Sequence, residues 1–295
     1  MEEYDEVVID SGNSLLVDTL ERRWRTYFDE LKRCRKEPSE VVIHDLRVAT
    51  RRLLALIDML REFSPHPRLQ KLRRAFKKQL DGLDDLRDTQ VMLVEVAKTL
   101  NDLPDLVPFQ VYLNKKEKRL LRSTTKAIKS FNPGNVKKRV YSTRKALFKI
   151  ENEIDQRESL LHIVDGIFDL VMQRYQQIEP TNVATIHHVR VAFKKFRYSV
   201  EIIHPLIPNF PESNYKIMHD YQSMMGEIQD VEVFNSVFDE FVKKDASHNP
   251  NHIRQYYSQR HKEKVNAFLE KMYQIDTFWR SETKAPFPWE TGKRR

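Results

Sequence analysis

Apolar residues recur along this chain at intervals of three and four, the period of a helix that buries one stripe, through almost its whole length. Within 39–62, Ile43, Leu46, Leu53, Ile57 and Leu60 keep that spacing. The same periodicity runs through 14–36, 67–100, 106–130, 135–154, 159–178, 182–204, 212–244 and 251–276, and no stretch alternates apolar and polar residues as a half-buried strand would. Proline supplies the punctuation. All thirteen prolines fall between these segments or in their first turns, where a helix tolerates the missing N–H. The pattern predicts an all-α protein of long helices, joined by short loops that favour antiparallel neighbours.

The chain also repeats itself. Val42-Ile43-His44-Asp45-Leu46-Arg47-Val48-Ala49-Thr50-Arg51-Arg52 returns 143 residues later as Thr185-Ile186-His187-His188-Val189-Arg190-Val191-Ala192-Phe193-Lys194-Lys195. A second echo, at an offset of 142, pairs Leu86-Arg87-Asp88-Thr89-Gln90-Val91 with Ile228-Gln229-Asp230-Val231-Glu232-Val233. Two echoes in the same order imply a duplicated helical unit. The halves predicted are 1–155 and 156–285, with a polar tail over 286–295.

Each copy carries a basic face opposite its apolar stripe. On a helical wheel with Ile43 at zero, the rest of the stripe lies between about 260° and 320°, while His44, Arg47 and Arg51 lie between about 40° and 100°. In the second copy His187, Arg190 and Lys194 take the same angles, with Arg197 beside them, and Ile186, Val189, Phe196, Val200 and Ile203 form the stripe. One basic stripe is usually a solvated face. Its reproduction in both copies points to function, because a row of guanidinium and ammonium groups repels itself unless an anion sits on it, and arginine forks suit phosphate oxygens.

Composition sharpens this. The 295 residues hold 51 Lys and Arg against 43 Asp and Glu, a net charge of +8, so an anionic partner is expected. The charge is local: 115–149 carries thirteen bases and one acid, Glu117, and the rest of the chain is net negative. Lys115, Arg119, Arg122, Lys126 and Lys129 fall at 0, 4, 7, 11 and 14, a ladder of about 20 Å on a helix, with no aromatic residue among them. Arg260 and Lys264 form a weaker counterpart, and Arg73 with Lys77 an i,i+4 pair that could join the surface. An extended polyanion matches such ladders better than a single phosphate does.

Other chemistry is hard to place. Six glycines leave little room for a phosphate-cradling glycine loop, so a P-loop or dinucleotide fold is excluded. His44, His187 and His188 lack a second ligand at i+3 or i+4, and a single cysteine, Cys34, permits neither a disulfide nor a paired-cysteine metal site. No metal, cofactor or catalytic constellation is expected. No apolar run is long enough for a membrane span, and the acidic start 1–6 does not resemble a signal peptide, so a cytoplasmic protein is expected.

The His44 to Arg52 segment with the downstream Leu86-Arg87-Asp88, both echoed in the second half, resembles the CHAD family, the conserved histidine α-helical domain. The resemblance covers nearly the whole chain. It implies two antiparallel four-helix bundles related by a pseudo-twofold axis, a basic central groove or pore, and binding of inorganic polyphosphate, polyphosphate granules included, without turnover. The residues it implicates are His44, Arg47, Arg51 and Arg52, and His187, Arg190, Lys194 and Lys195. Two departures stand out. The family usually has Gly four residues before the motif Asp; Gly226 fits, whereas Asp84 holds that place in the first half. Gln229 replaces Arg in the second Arg-Asp pair. The ExExK signature of the triphosphate-hydrolysing domain attached to many relatives does not occur in the sequence. Two alternatives remain: an RNA- or DNA-binding helical protein, for which Tyr198, Tyr256 and Tyr257 stand near bases, and a metal-dependent phosphohydrolase, which would need grouped carboxylates.

Overall fold

A computed structural model describes residues 15–151, 156–244 and 250–291. They form α1 (Leu15–Lys36), α2 (Glu40–Phe63), α3 (Pro67–Thr99), α4 (Val107–Ser130), α5 (Gly134–Glu151), α6 (Gln156–Gln176), α7 (Val183–Ile203), α8 (Ser213–Lys244) and α9 (Asn251–Leu269). Among the described residues there is no β-strand, so the chain is all-α. The helix starts follow the sequence signals. Ser39 caps α2 by accepting from the Val42 N–H, and Pro67 opens α3 behind His66, whose Nδ1 accepts from the Arg68 N–H at 3.1 Å.

Consecutive helices pack against one another within α1 to α4 and within α6 to α9, and α5 lies back against α1 and α3. The halves meet mainly where α2 touches α6 and α7, and where α3 and α4 touch α8. Every member of the α2 stripe, Ile43, Leu46, Leu53, Ile57 and Leu60, is buried, and so is every member of the α7 stripe. Burying them leaves each basic face turned away from the core, which is how the sequence period positions the site.

The interior does not divide at the repeat boundary. One large core draws on both halves, and a second, aromatic one joins the C-terminal part of α3 and the start of α4 to the end of α8 and α9. There Phe109 stands edge-on to Phe234 and Phe238, and Tyr257 stacks on Phe234 with centroids 3.6 Å apart.

Two differences from expectation lie near the C-terminus. The last helix ends at Leu269, not at 276, because the chain folds into a short 3-10 turn, Met272–Thr277, whose Met272 carbonyl accepts from the Tyr221 hydroxyl at 3.0 Å. That turn delivers Phe278 and Trp279 to the core. The segment from 286, expected as a polar tail, is anchored as far as 290: Phe287 is buried, stacks on Trp289, and the Trp289 indole N–H donates to the Pro208 carbonyl. Buried Asp165 holds the approach, accepting from Trp279 Nε1, from Arg280 Nε and Nη2 at 2.8 and 2.6 Å, and from the Thr283 hydroxyl.

Candidate functional site

Helices α2 and α7 cross antiparallel. The contacts set the direction: Arg52 lies 3.8 Å from Glu201, whereas Glu62, ten residues further along α2, lies 3.5 Å from Lys195, earlier in α7. At the crossing Arg51 acts on Lys194, its equivalent in the repeat, and Arg47 and Arg190 lie within electrostatic reach of both. Asp88 of α3 acts in the same way on Asp230 of α8, its repeat equivalent, with Arg47 and Arg51 acting on Asp88 and Arg190 on Asp230. The duplicated motifs therefore converge on one place, where each half supplies an arginine, a second base and an aspartate.

The two halves of this cluster differ in what faces the first arginine of each. Asp84 accepts from Arg47 Nε at 2.9 Å, and its Oδ1 lies 2.7 Å from Arg47 Nη2 and 3.9 Å from Arg51 Nη2. Its repeat equivalent is Gly226, where a methyl group would sit 3.6 Å from Arg190 Nε and 3.7 Å from Nη2. So Arg47 faces a carboxylate and Arg190 faces bare backbone. Three nitrogens in this region, Arg51 Nε, Arg190 Nε and His187 Nδ1, are buried with no hydrogen-bond partner among the described residues. Buried polar atoms are rarely left so.

Protonation equilibria report the same surplus of positive charge. Burial, then the nearby Arg51, Arg190 and Arg47 guanidinium groups, lower the Lys194 ammonium to about 7, with only Asp84 opposing. Burial, and next Arg87, lower His44. Asp88 and Asp230 are raised, chiefly by burial, against the pull of Arg47 and Arg190 respectively. An anion entering here would meet a partly desolvated concentration of cations.

The remaining residues singled out from sequence scatter. Arg52 and Arg197 turn to a separate cavity of about 630 Å³, where Arg197 Nη1 donates to Glu201 at 3.0 Å and Arg22, Arg23 and His204 join the lining. Lys195 pairs with Glu62, Arg73 with Asp58 at 2.6 Å, and Lys77 with Asp81. Arg260 reaches Glu95 at 3.1 Å and Lys264 reaches Glu227 at 2.6 Å, both beside a cleft of about 350 Å³ that Arg87 and Asp230 also line. Lys115, Arg119, Arg122 and Lys126 stand exposed on the outer face of α4, and neither they nor any other α4 or α5 residue is among the groups acting on Arg51, Lys194, Asp88 or Asp230. His44 is exposed, in the second turn of α2.

Sequence reasoning did not foresee that Asp84 would hold Arg47, or that Arg22 and Arg23 would line a cavity, since α1 takes no part in the two sequence echoes. The tyrosines that kept nucleic acid in view are occupied elsewhere. Tyr198 and Tyr257 are buried, and Tyr256 packs edge-on against Tyr257. Among the described residues no group of three or more His, Cys, Asp and Glu side chains could hold a metal ion, and no helix is long and apolar enough to cross a membrane.

The family model of the CHAD domain matches residues 18–239, from α1 into α8. Among solved structures, the CHAD domain from the plant Ricinus communis superposes with a TM-score of 0.65, covering 90% of this chain and 89% of that one, at 14% identity. At that identity the likeness carries the fold alone. No curated protein matches the chain.

Proposed function

The chain belongs to the CHAD domain family, and from that premise we propose that it binds inorganic polyphosphate, without turning it over, in the groove where α2 crosses α7. The observation that carries this is the pair of buried, unpartnered guanidinium N–H donors on Arg51 and Arg190, gathered beside Arg47 and Lys194. Phosphate oxygens are the acceptors such donors lack. A guanidinium offers them two parallel bonds where an ammonium offers a point charge.

In this account Arg190, next to Gly226, grips the chain, Arg51 and Lys194 bracket the midpoint, and Arg47 contributes a fork already ordered by Asp84. Asp88 and Asp230 orient the bases. The architecture proposed with it is two four-helix bundles, 1–155 and 156–285, about a pseudo-twofold axis through the Arg51/Lys194 and Asp88/Asp230 pairs, with the groove as a basic pore. Mutual proximity of both equivalent pairs supports that axis. The setting proposed is the cytoplasm, with polyphosphate free or in granules.

Titration calorimetry with long-chain polyphosphate and with triphosphate, at one fixed salt concentration, tests the binding. Tighter binding of the long chain is expected; equal affinity for both would count against a groove built for a polymer. Incubation with magnesium or manganese should release no phosphate, and repeated metal-dependent release by the purified protein would overturn the non-catalytic reading.

A further inference from the structure

Helices α4 and α5 make one extended rod along the outside of the first half. Thr124 in α4 lies at Gly82 of α3, and Ser142 in α5 lies at Arg68, so the two helices follow one another down α3 in a single direction. α1 is followed in the same way, with Arg35 at Ile128 and Glu21 at Arg144. The basic segment from 115 to 149 therefore becomes a continuous outer band of roughly 50 Å at helical rise.

The α4 part of this band is not neutralised. Lys115, Arg119, Arg122, Lys126 and Lys129 are all exposed and make no ion pair among the described residues. A solvated helix face of a stable protein usually intersperses acids, as α1 does with Glu21, Asp29 and Glu30 paired to its own bases. Along α4 the single acid, Glu117, is turned inward and accepts from Gln90 of α3.

An aromatic ring stands in the same band. Tyr141 is 53% exposed, among the most exposed large apolar side chains of the molecule, and lies one turn from both Lys137 and Lys145; Lys145 Nζ sits 4.9 Å from the ring centroid. At the far end, Tyr112 falls three residues before Lys115 on the same stripe, half-buried, with Lys244 Nζ 5.5 Å from its ring. A tyrosine held open to solvent between lysines is the pairing by which single strands are bound: cations for the backbone, a ring for a base. Polyphosphate has no base to stack, and a duplex keeps its bases covered.

We propose that the α4–α5 rod is a second binding surface, separate from the α2/α7 groove, that takes single-stranded nucleic acid, with Lys115, Arg119, Arg122 and Lys126 on the phosphates and Tyr141 under a base. It does not depend on the groove binding polyphosphate.

The test uses the full chain and a fluorescent single-stranded RNA of about 20 nucleotides, longer than the usual single-strand footprint, at several salt concentrations. Tyr141→Ala should weaken RNA binding roughly 5-fold to 100-fold and leave polyphosphate binding unchanged, while Tyr141→Phe should retain both. Lys115→Gln/Arg119→Gln/Arg122→Gln/Lys126→Gln should flatten the RNA salt dependence by about 0.7 per lost phosphate contact. Arg51→Gln/Arg190→Gln should leave RNA binding intact. Circular dichroism controls for folding, and all the rod substitutions are at exposed helical positions. RNA binding indifferent to Tyr141→Ala, or no RNA binding at 50 to 200 mM salt, a range over which such contacts are strongly felt, would overturn the proposal. So would loss of polyphosphate rather than RNA binding in the rod variants, which would make the band a polyphosphate surface.

Discussion

Asp84 and Gly226 stand at equivalent positions of the repeat, and each lies against the arginine of its own half: Asp84 as a carboxylate bonded to Arg47, Gly226 as bare backbone beside Arg190. This pair adds to the inequality already set by Arg51 against Lys194 and Arg87 against Gln229. In the first half an internal anion competes with any ligand for the fork; in the second, Arg190 keeps an unpartnered buried Nε. The groove should hold a phosphate chain more firmly on its α7 side.

That inequality can be shifted in both directions. Asp84→Asn should strengthen polyphosphate binding roughly 5-fold, the equivalent of about 1 kcal/mol for a partly exposed charge, and lower stability by a similar amount as Arg47 loses its partner. Gly226→Asp should weaken binding by roughly tenfold. The added Cβ meets Arg190 only at ordinary contact distance, so the variant should fold. Calorimetry on both, with melting curves, checks the pair of signs; changes in the same direction would contradict it.

Lys194 should make binding depend on pH. Its ammonium lies at about 7 in the free protein, and a phosphate chain beside it raises that value, so binding takes up a proton. Affinity should be insensitive to this group below about pH 7 and weaken as pH rises above it, by at most about tenfold per unit, until the bound-state value is passed. Lys194→Arg should remove that step. For stability the sign is opposite: the folded value is depressed below that of the unfolded chain, so the free protein binds fewer protons than the unfolded chain and gains stability as pH rises from about 7 towards 10.5. Melting temperatures of parent and Lys194→Gln across that window should converge at its upper end.

Asp165 belongs to the fold and not to the groove. Both it and Arg280 are more than nine-tenths buried, so Asp165→Ala strands a guanidinium and should cost about 3 to 5 kcal/mol in chemical denaturation. Polyphosphate affinity of the folded fraction should match the parent. A loss of affinity without a loss of stability would mean that the C-terminal segment reaches the groove.

Much of this was legible from residue spacing. The α2 and α7 stripes fix which faces are buried, so the opposed positions of His44, Arg47, Arg51, His187, Arg190 and Lys194 follow from the period alone. Their convergence does not. It depends on α2 crossing α7 antiparallel, a tertiary fact that the echo at 143 hints at but does not determine. Nor does spacing reveal the partners of Arg73, Lys195, Arg260 and Lys264, because Asp58, Glu62, Glu95 and Glu227 come from other segments of the chain. The anchored C-terminal segment carried a signal that its many polar neighbours masked: Phe287 and Trp289 are the apolar residues of an otherwise polar stretch.

The claim that polyphosphate sits in the groove is tested most directly by titrating long-chain polyphosphate, at several fixed salt concentrations, against the parent, Arg51→Gln/Arg190→Gln and the outer-face variant Arg119→Gln/Arg122→Gln. Both variants remove two positive charges, so net charge is matched. Two lost charge-assisted contacts predict a fall on the order of 100-fold for the groove variant and little change for the outer one. Equal losses in the two variants, or parental affinity in a folded Arg51→Gln/Arg190→Gln protein, would contradict the groove as the binding site.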